Sequence, residues 1–221
     1  MERFRTDAKA EGDLVTVGGY QTRNGKDEEI HPAQAKWFLL TLTRANAPWA
    51  FARGEPFRAI ASLELLGSLL GIMLLLDGQE EGEHYHAGSL SVSGLTDNSG
   101  NRFAVARMMT TKWPLVAFLA ELSTQLEHRN LMFEMCWVPR EQNAEADAIT
   151  NGDVGWLRPS NRLATSMVEL PFLVLTELLK KGAEFYGQLE TVNMAAAADK
   201  EHIVCNNKKD VRKLSVRDPW N

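Results

Sequence analysis

The sequence predicts an α/β domain: a mixed five-stranded sheet, its first three strands antiparallel, with flanking helices and a C-terminal helical extension. Three observations predict it. Three strand-like runs come first, with no helical stretch between them. Helical and strand periods then alternate as far as about residue 152. Beyond Gly152 the apolar spacing becomes helical, and the chain ends in a polar stretch.

Each element has its own signal. Residues 2–6 form a short strand. Residues 14–20 alternate Leu14, Thr16 and Gly18 against Val15, Val17 and Gly19, and residues 37–43 are a mostly apolar third run. The polar link at 24–31 carries the turn pair Asn24-Gly25. Over residues 56–76 the period changes: Phe57, Ile60, Leu63, Gly67 and Leu70 recur every three or four residues, with Pro56 suited to a first helical turn. A Gly-rich polar loop at 77–88 precedes a fourth strand at 89–95 and a short helix at 98–109. Trp113-Pro114 opens a helix with the stripe Leu115, Phe118, Leu119, Leu122 and Leu126, which Arg129-Asn130 ends. The fifth strand, 131–138, stops at Pro139. A last helix at 143–150 ends on the C-cap signal Asn151-Gly152.

This divides the chain into a domain at 1–152, a helical extension at 153–190 and a polar, weakly ordered tail at 191–221. Within the extension, residues 162–189 are helical in period, interrupted by Pro171. Phe172, Leu175 and Leu179 share a face that covers the sheet or a partner. No internal repeat is present.

Composition narrows the function. The chain has 221 residues, 44% apolar and 24% charged, in the range of globular proteins. A net charge of −5 argues against a stand-alone electrostatic nucleic-acid binder, though not against an enzyme that meets nucleic acid through a small patch. Two cysteines, Cys136 and Cys205, make neither a disulfide framework nor a zinc site. With no apolar h-region at the start, an intracellular location in cytoplasm or nucleus is expected. The longest apolar stretch, 65–76, is 12 residues and reads as a buried helix, so no membrane association is expected. His84-Tyr85-His86 beside Glu80, Glu81 and Glu83 reads as a solvated loop rather than a metal clip. Trp113 reads as helix packing, and the terminal group Lys208, Lys209, Arg212, Lys213 and Arg217 as a solvated tail.

Four acidic residues stand out. Asp7 ends the first strand, Glu64 lies between Leu63 and Leu65 on the apolar helix, Asp97 follows the fourth strand, and Asp147 lies in the last helix. Alone, each is most simply a turn former or surface charge. Together they are harder to dismiss, because strand ends in a mixed sheet lie side by side and a packed helix can aim a carboxylate at the same place. Crowded carboxylates cannot all stay ionised without compensation. Mg²⁺ supplies it, and two such ions about 4 Å apart suit phosphodiester cleavage.

The segments Thr6-Asp7, Leu63-Glu64-Leu65-Leu66, Leu95-Thr96-Asp97-Asn98-Ser99 and Trp137-Val138-Pro139 with Asn143-x-Glu145-Ala146-Asp147 resemble the ribonuclease H domain of LTR-type and DIRS-like retroelement reverse transcriptases. The resemblance covers residues 1–152. It implies a ribonuclease H-like fold and a metal-dependent endonuclease that hydrolyses the RNA strand of RNA–DNA hybrids. It implies two Mg²⁺ (or Mn²⁺) ions held by Asp7, Glu64, Asp97 and Asp147. It places Asn98 and Ser99 at the hybrid's minor groove, where 2′-hydroxyls distinguish RNA from DNA, and Asn143 at a loop that approaches substrate. The implied partners are the hybrid and a reverse transcriptase polymerase domain, of which no Tyr-x-Asp-Asp motif occurs in this chain. The loop before Asp147, residues 138–143, lacks the His that many relatives carry, which implies slow turnover.

A non-catalytic tethering domain of a degraded retroelement polyprotein is the competing reading. A 3′–5′ exonuclease fits less well, because the first strand carries Asp7-Ala8-Lys9 rather than Asp-x-Glu. An integrase-like enzyme would need a Glu as its third acid.

Overall fold

A computed structural model describes residues 1–52, 54–76 and 90–185, with residues 188 and 191. The loop at 77–88 with His84-Tyr85-His86, and the tail from 192 on with Cys205 and the terminal basic group, lie outside these residues. Five strands make one mixed sheet in the order β3-β2-β1-β4-β5. They are β1 (Glu2–Glu11), β2 (Leu14–Arg23), β3 (Trp37–Leu42), β4 (Leu90–Thr96) and β5 (Leu131–Trp137). β1, β2 and β3 are antiparallel neighbours, whereas β1–β4 and β4–β5 pair in parallel. The expected mixed sheet with three antiparallel leading strands and flanking helices is the architecture observed.

β1 runs ten residues, well past the expected end at residue 6. Its alternation continues: Arg3, Arg5, Asp7 and Lys9 face one side of the sheet, and Phe4, Thr6, Ala8 and Ala10 the other. A two-residue turn at Gly12-Asp13, with Gly12 at φ 56°, returns the chain directly into β2. β4 accompanies β1 only from Glu2 to Arg5. Asp7 therefore lies within β1, not at its end, and just beyond the point where the parallel pairing stops.

The face bearing Phe4 and Thr6 carries α1 (Ile60–Leu74), which follows a 3₁₀ turn at Pro56–Ala59. The helix comes very close to β1. A Cβ on Gly71 would sit 2.5 Å from the Phe4 ring, and one on Gly67 3.2 Å from Thr6. From Pro56 to Leu74 this is 19 residues of mean hydropathy 1.6. That is long and apolar enough to cross a bilayer, but Leu63, Leu65, Leu66, Leu69, Leu70 and Ile72 are all fully buried in the core. α3 (Leu115–His128) packs on α1 and brings Phe118 against Trp49, with ring centroids 4.8 Å apart. α2 (Ser99–Arg107) lies beside β5.

The opposite face carries α4 (Ala144–Thr150). Gly18 permits its approach, since a Cβ there would meet Ile149 Cγ2 at 2.6 Å. Tyr20, Ala35, Trp37, Ala146, Ile149 and Leu157 form a smaller second core on this side.

Residues 162–174 are not helical, contrary to their apolar spacing; the helix begins at residue 175 and continues through 185. The stretch before it follows the sheet edge, where Leu163 N–H donates to the Trp37 carbonyl at 2.8 Å. Buried Glu121 on α3 sets the helix start by accepting from the backbone N–H groups of Leu173, Val174 and Leu175 at 2.7–3.1 Å. A carboxylate at a helix N-terminus satisfies donors that have no partner within the helix.

Candidate active site

The four acidic residues come from four different elements and lie around the point where the parallel pairing of β1 with β4 stops. Asp7 extends from the middle of β1 on the α4 face and is 8% exposed. Thr150 Oγ1, at the end of α4, donates to Asp7 Oδ2 at 2.9 Å. Asp97 immediately follows β4, and its carbonyl accepts from the Trp137 indole N–H at 2.9 Å, which ties it to the end of β5. Glu64 belongs to α1, on the other face. It is level with the last residue of β4, and Thr96 Oγ1 donates to Glu64 Oε2 at 3.3 Å. Asp147, in the first turn of α4, is about half exposed. It is held by Arg140 Nη2 at 3.3 Å and by Asn151 Nδ2 at 2.9 Å.

The open edge of β1 lets charges on the two faces act on one another. Burial raises the Asp7 carboxyl from 3.8 to about 6, with further contributions from the charges of Asp97 and Asp147 and an opposing one from Thr150. Burial also raises Glu64 from 4.5 to about 8, assisted by the charges of Asp97 and Asp7. Asp7 is thus within electrostatic reach of all three other carboxyl groups. The side chains nevertheless do not converge on a single point: among the described residues no three His, Cys, Asp or Glu side chains form a ready-made metal cluster. Asp7, Glu64 and Asp147 each turn to a hydroxyl, amide or guanidinium partner instead.

Asn143 is 1% exposed, and its Nδ2 donates to the Thr6 carbonyl at 3.1 Å, bracing the start of α4 against the strand that carries Asp7. Its Oδ1 is buried without a hydrogen-bond partner. Asn98 caps α2 by accepting from the Asn101 N–H at 3.1 Å, and its side chain also hydrogen-bonds Glu64. Ser99 is exposed at the first turn of that helix.

No protein-family model and no curated protein sequence matches the chain. The solved structures it resembles include ribonucleases H. One is from the halophilic archaeon Halobacterium salinarum, at 14% identity and TM-score 0.41, over 69% of this chain and 96% of that one. Another is LC11-RNase H1 in complex with an RNA/DNA hybrid, at 18% identity and TM-score 0.41, over 70% and 96%. A third is the N-terminal RNase H domain of a Mycobacterium tuberculosis protein, at 14% identity and TM-score 0.40, over 70% and 94%. Likenesses this distant leave the functional reading to the residues themselves.

Arg140 was not a sequence candidate. It occupies the loop that lacks a His, and its guanidinium is held in the charged form by Asp147, with further contributions from Asp97 and Asp7. The available signal was a cation seven residues before an acid across a short helix start. Thr96 and Thr150, which hold Glu64 and Asp7, had no signal at all, because a threonine at an element end is ordinary. The donor set is entirely oxygen, and its two more buried members, Asp7 and Glu64, are raised in pKa by burial first and by neighbouring carboxylates second. That chemistry fits a hard divalent cation such as Mg²⁺. Asp7, Glu64, Asp97 and Asp147 are the residues that would hold it.

Proposed function

We propose that the chain is a metal-dependent endonuclease that hydrolyses the RNA strand of RNA–DNA hybrids, as part of a retroelement reverse transcriptase. One observation carries the reading: the buried carboxyl groups of Asp7 on β1 and Glu64 on α1 lie close enough to Asp97, after β4, to feel its charge, and Asp7 feels that of Asp147 on α4 as well. Such an arrangement costs stability and is explained by a cationic ligand. When bound, Mg²⁺ supplies charge neutralisation of the scissile phosphate and a more acidic water nucleophile.

The chain's own side chains have separable parts. Asp7 and Glu64 give up protons as cation binds. Thr150, Thr96 and Asn143 hold the carboxyl groups and strand β1 in place. Arg140 offers a guanidinium at the rim, suited to a phosphate of the strand being cut. Ser99, exposed beside Asp97, is placed to meet a 2′-hydroxyl.

The absence of three converging ligands among the described residues favours a second reading, a non-catalytic tethering domain. A cleavage assay separates the two. With Mg²⁺ or Mn²⁺, the protein is expected to cut the RNA of a hybrid and to spare single-stranded RNA and duplex DNA. Asp7→Asn and Asp97→Asn should each lower the rate by a factor of 100 or more, on the order expected when a phosphoryl-transfer site loses a ligand. A folded wild-type protein with no activity, or cleavage unchanged in both variants, would leave the tethering role.

A further inference from the structure

A second polar site lies on the α4 face of the same sheet. Arg3 and Arg5 alternate on β1 with Asp7, so Arg5 is about 7 Å before Asp7 along the strand. Together with Tyr20 and Thr22 of β2 they line a cleft of about 240 Å³. Its apolar wall is Ile30, Pro32 and Leu95. α4 is only seven residues long and leaves this part of the sheet face open.

The charges in the cleft are unequally neutralised. Arg23, also at its edge, is occupied by Asp27 at 3.2 Å and Glu29 at 3.1 Å, and Glu29 itself lines the cleft. Among the described residues Arg5 pairs only with Glu145, a half-exposed carboxylate 3.8 Å away. Arg3 donates through Nε to the Ser93 hydroxyl at 3.1 Å, and among the described residues no carboxylate lies within 4 Å of it. Two guanidiniums thus stand partly buried, on one strand face, with little to balance them. Burial and Glu145 raise the Tyr20 phenol to about 12, so it remains a hydroxyl donor at neutral pH.

We propose that this cleft binds the phosphate of a nucleotide unit, with the two arginines on the phosphate and the apolar wall against its nucleoside. Guanidinium forks match phosphate oxygens in pairs. The volume is below the range of about 300–1,000 Å³ of drug-sized pockets, so the cleft encloses the phosphate and part of its nucleoside, and no duplex. The phosphate has two sources, a nucleic-acid strand or a free mononucleotide, and the site does not depend on the carboxylates being catalytic.

Two titrations in metal-free buffer test this. One follows the fluorescence anisotropy of a labelled short single-stranded oligonucleotide, and the other the heat of binding of AMP. Wild type and Asp7→Asn/Asp97→Asn should bind alike, and Arg3→Gln/Arg5→Gln about tenfold more weakly or worse, the loss of the charged hydrogen bonds of two guanidiniums. Binding of both probes assigns the site to strands as well as nucleotides; binding of AMP alone assigns it to free nucleotide. If the double variant fails to fold by circular dichroism, Arg5→Lys keeps the charge without the fork and should still weaken binding about threefold. Equal binding by wild type and the arginine variants, binding by neither probe, or a loss confined to Asp7→Asn/Asp97→Asn would each overturn the proposal.

Discussion

Glu64 sits between Leu63 and Leu65 on a helix otherwise given over to the core, and its position sets a measurable pH dependence. Its carboxyl is raised to about 8, whereas an unfolded glutamate titrates near 4.5. Between these values the folded, metal-free protein holds a proton that the unfolded chain does not. Stability is therefore greatest below pH 4.5 as far as this group is concerned. It falls as pH rises through the window and levels off above 8. After allowance for partial exposure, the loss from pH 5 to pH 8 is on the order of 2 kcal/mol. Urea midpoints should show it, and Glu64→Gln should flatten the profile. Mg²⁺ binding must displace this proton, so stabilisation by Mg²⁺ should be larger at pH 8 than at pH 6.

Arg140 differs in kind, because its pairing with Asp147 is largely solvated. Arg140→Gln should change stability by about 0.5 kcal/mol or less by denaturant titration. It should weaken hybrid binding severalfold, measured by anisotropy with an Asp97→Asn background to prevent cleavage. A large stability loss would mean that the arginine braces α4 rather than facing substrate.

Elements were legible in the sequence to the extent that they follow local period. Strands β2, β3 and β5 and helix α3 lie within a few residues of their expected bounds, because each has an apolar face in contact with one core. β1 was read too short, since Arg3, Arg5, Asp7 and Lys9 look like a polar run ending a strand. They are one face of it, partly covered by α4 and partly open. The placement of Asp7 depends on β4 stopping short, a tertiary fact with no signature in residues 1–11. Residues 162–174 misled in the other direction. Their apolar spacing suits a helix, but the two prolines at 159 and 171 and the Leu163–Trp37 hydrogen bond hold the chain to the sheet edge, with a turn at 166–170 in place of a helix. The helix starts only where Glu121 can accept its N–H groups.

That carboxylate is fully buried, which makes it a strong test of how the extension is held. Glu121→Ala leaves three backbone donors without their side-chain acceptor and Gln125 with only the Pro171 carbonyl to donate to, at a cost of about 3 kcal/mol or more. Hydrogen exchange at residues 173–185 should accelerate well beyond that of α1. Uniform acceleration throughout the chain would show instead that extension and sheet unfold as one unit. Gly182 provides an independent check, because a Cβ there would lie 2.0 Å from the Trp113 ring. Trp113 is thus a packing residue for this helix, in line with its reading as helix packing.

At the scale of the molecule, the sheet gathers into one region residues that are up to 140 positions apart, Asp7 and Asp147 among them. The net charge of −5 does not describe that region or the cleft below it, since Arg3, Arg5 and Arg140 are local exceptions to the average. The acidic quartet was readable as four residues carried by four different elements. The hydroxyl and amide partners that orient it were not, because they depend on side-chain directions rather than period. The central claim is that these carboxyl groups form one cation site. Calorimetric titration of Mn²⁺ into wild type, Asp7→Asn, Asp97→Asn and the double variant tests it most directly. The account predicts binding to wild type, a loss of about tenfold or more in each single variant, and a double variant little worse than the poorer single one, as residues of one site require. Wild-type protein without affinity for Mn²⁺, or two single losses that simply add, would contradict it.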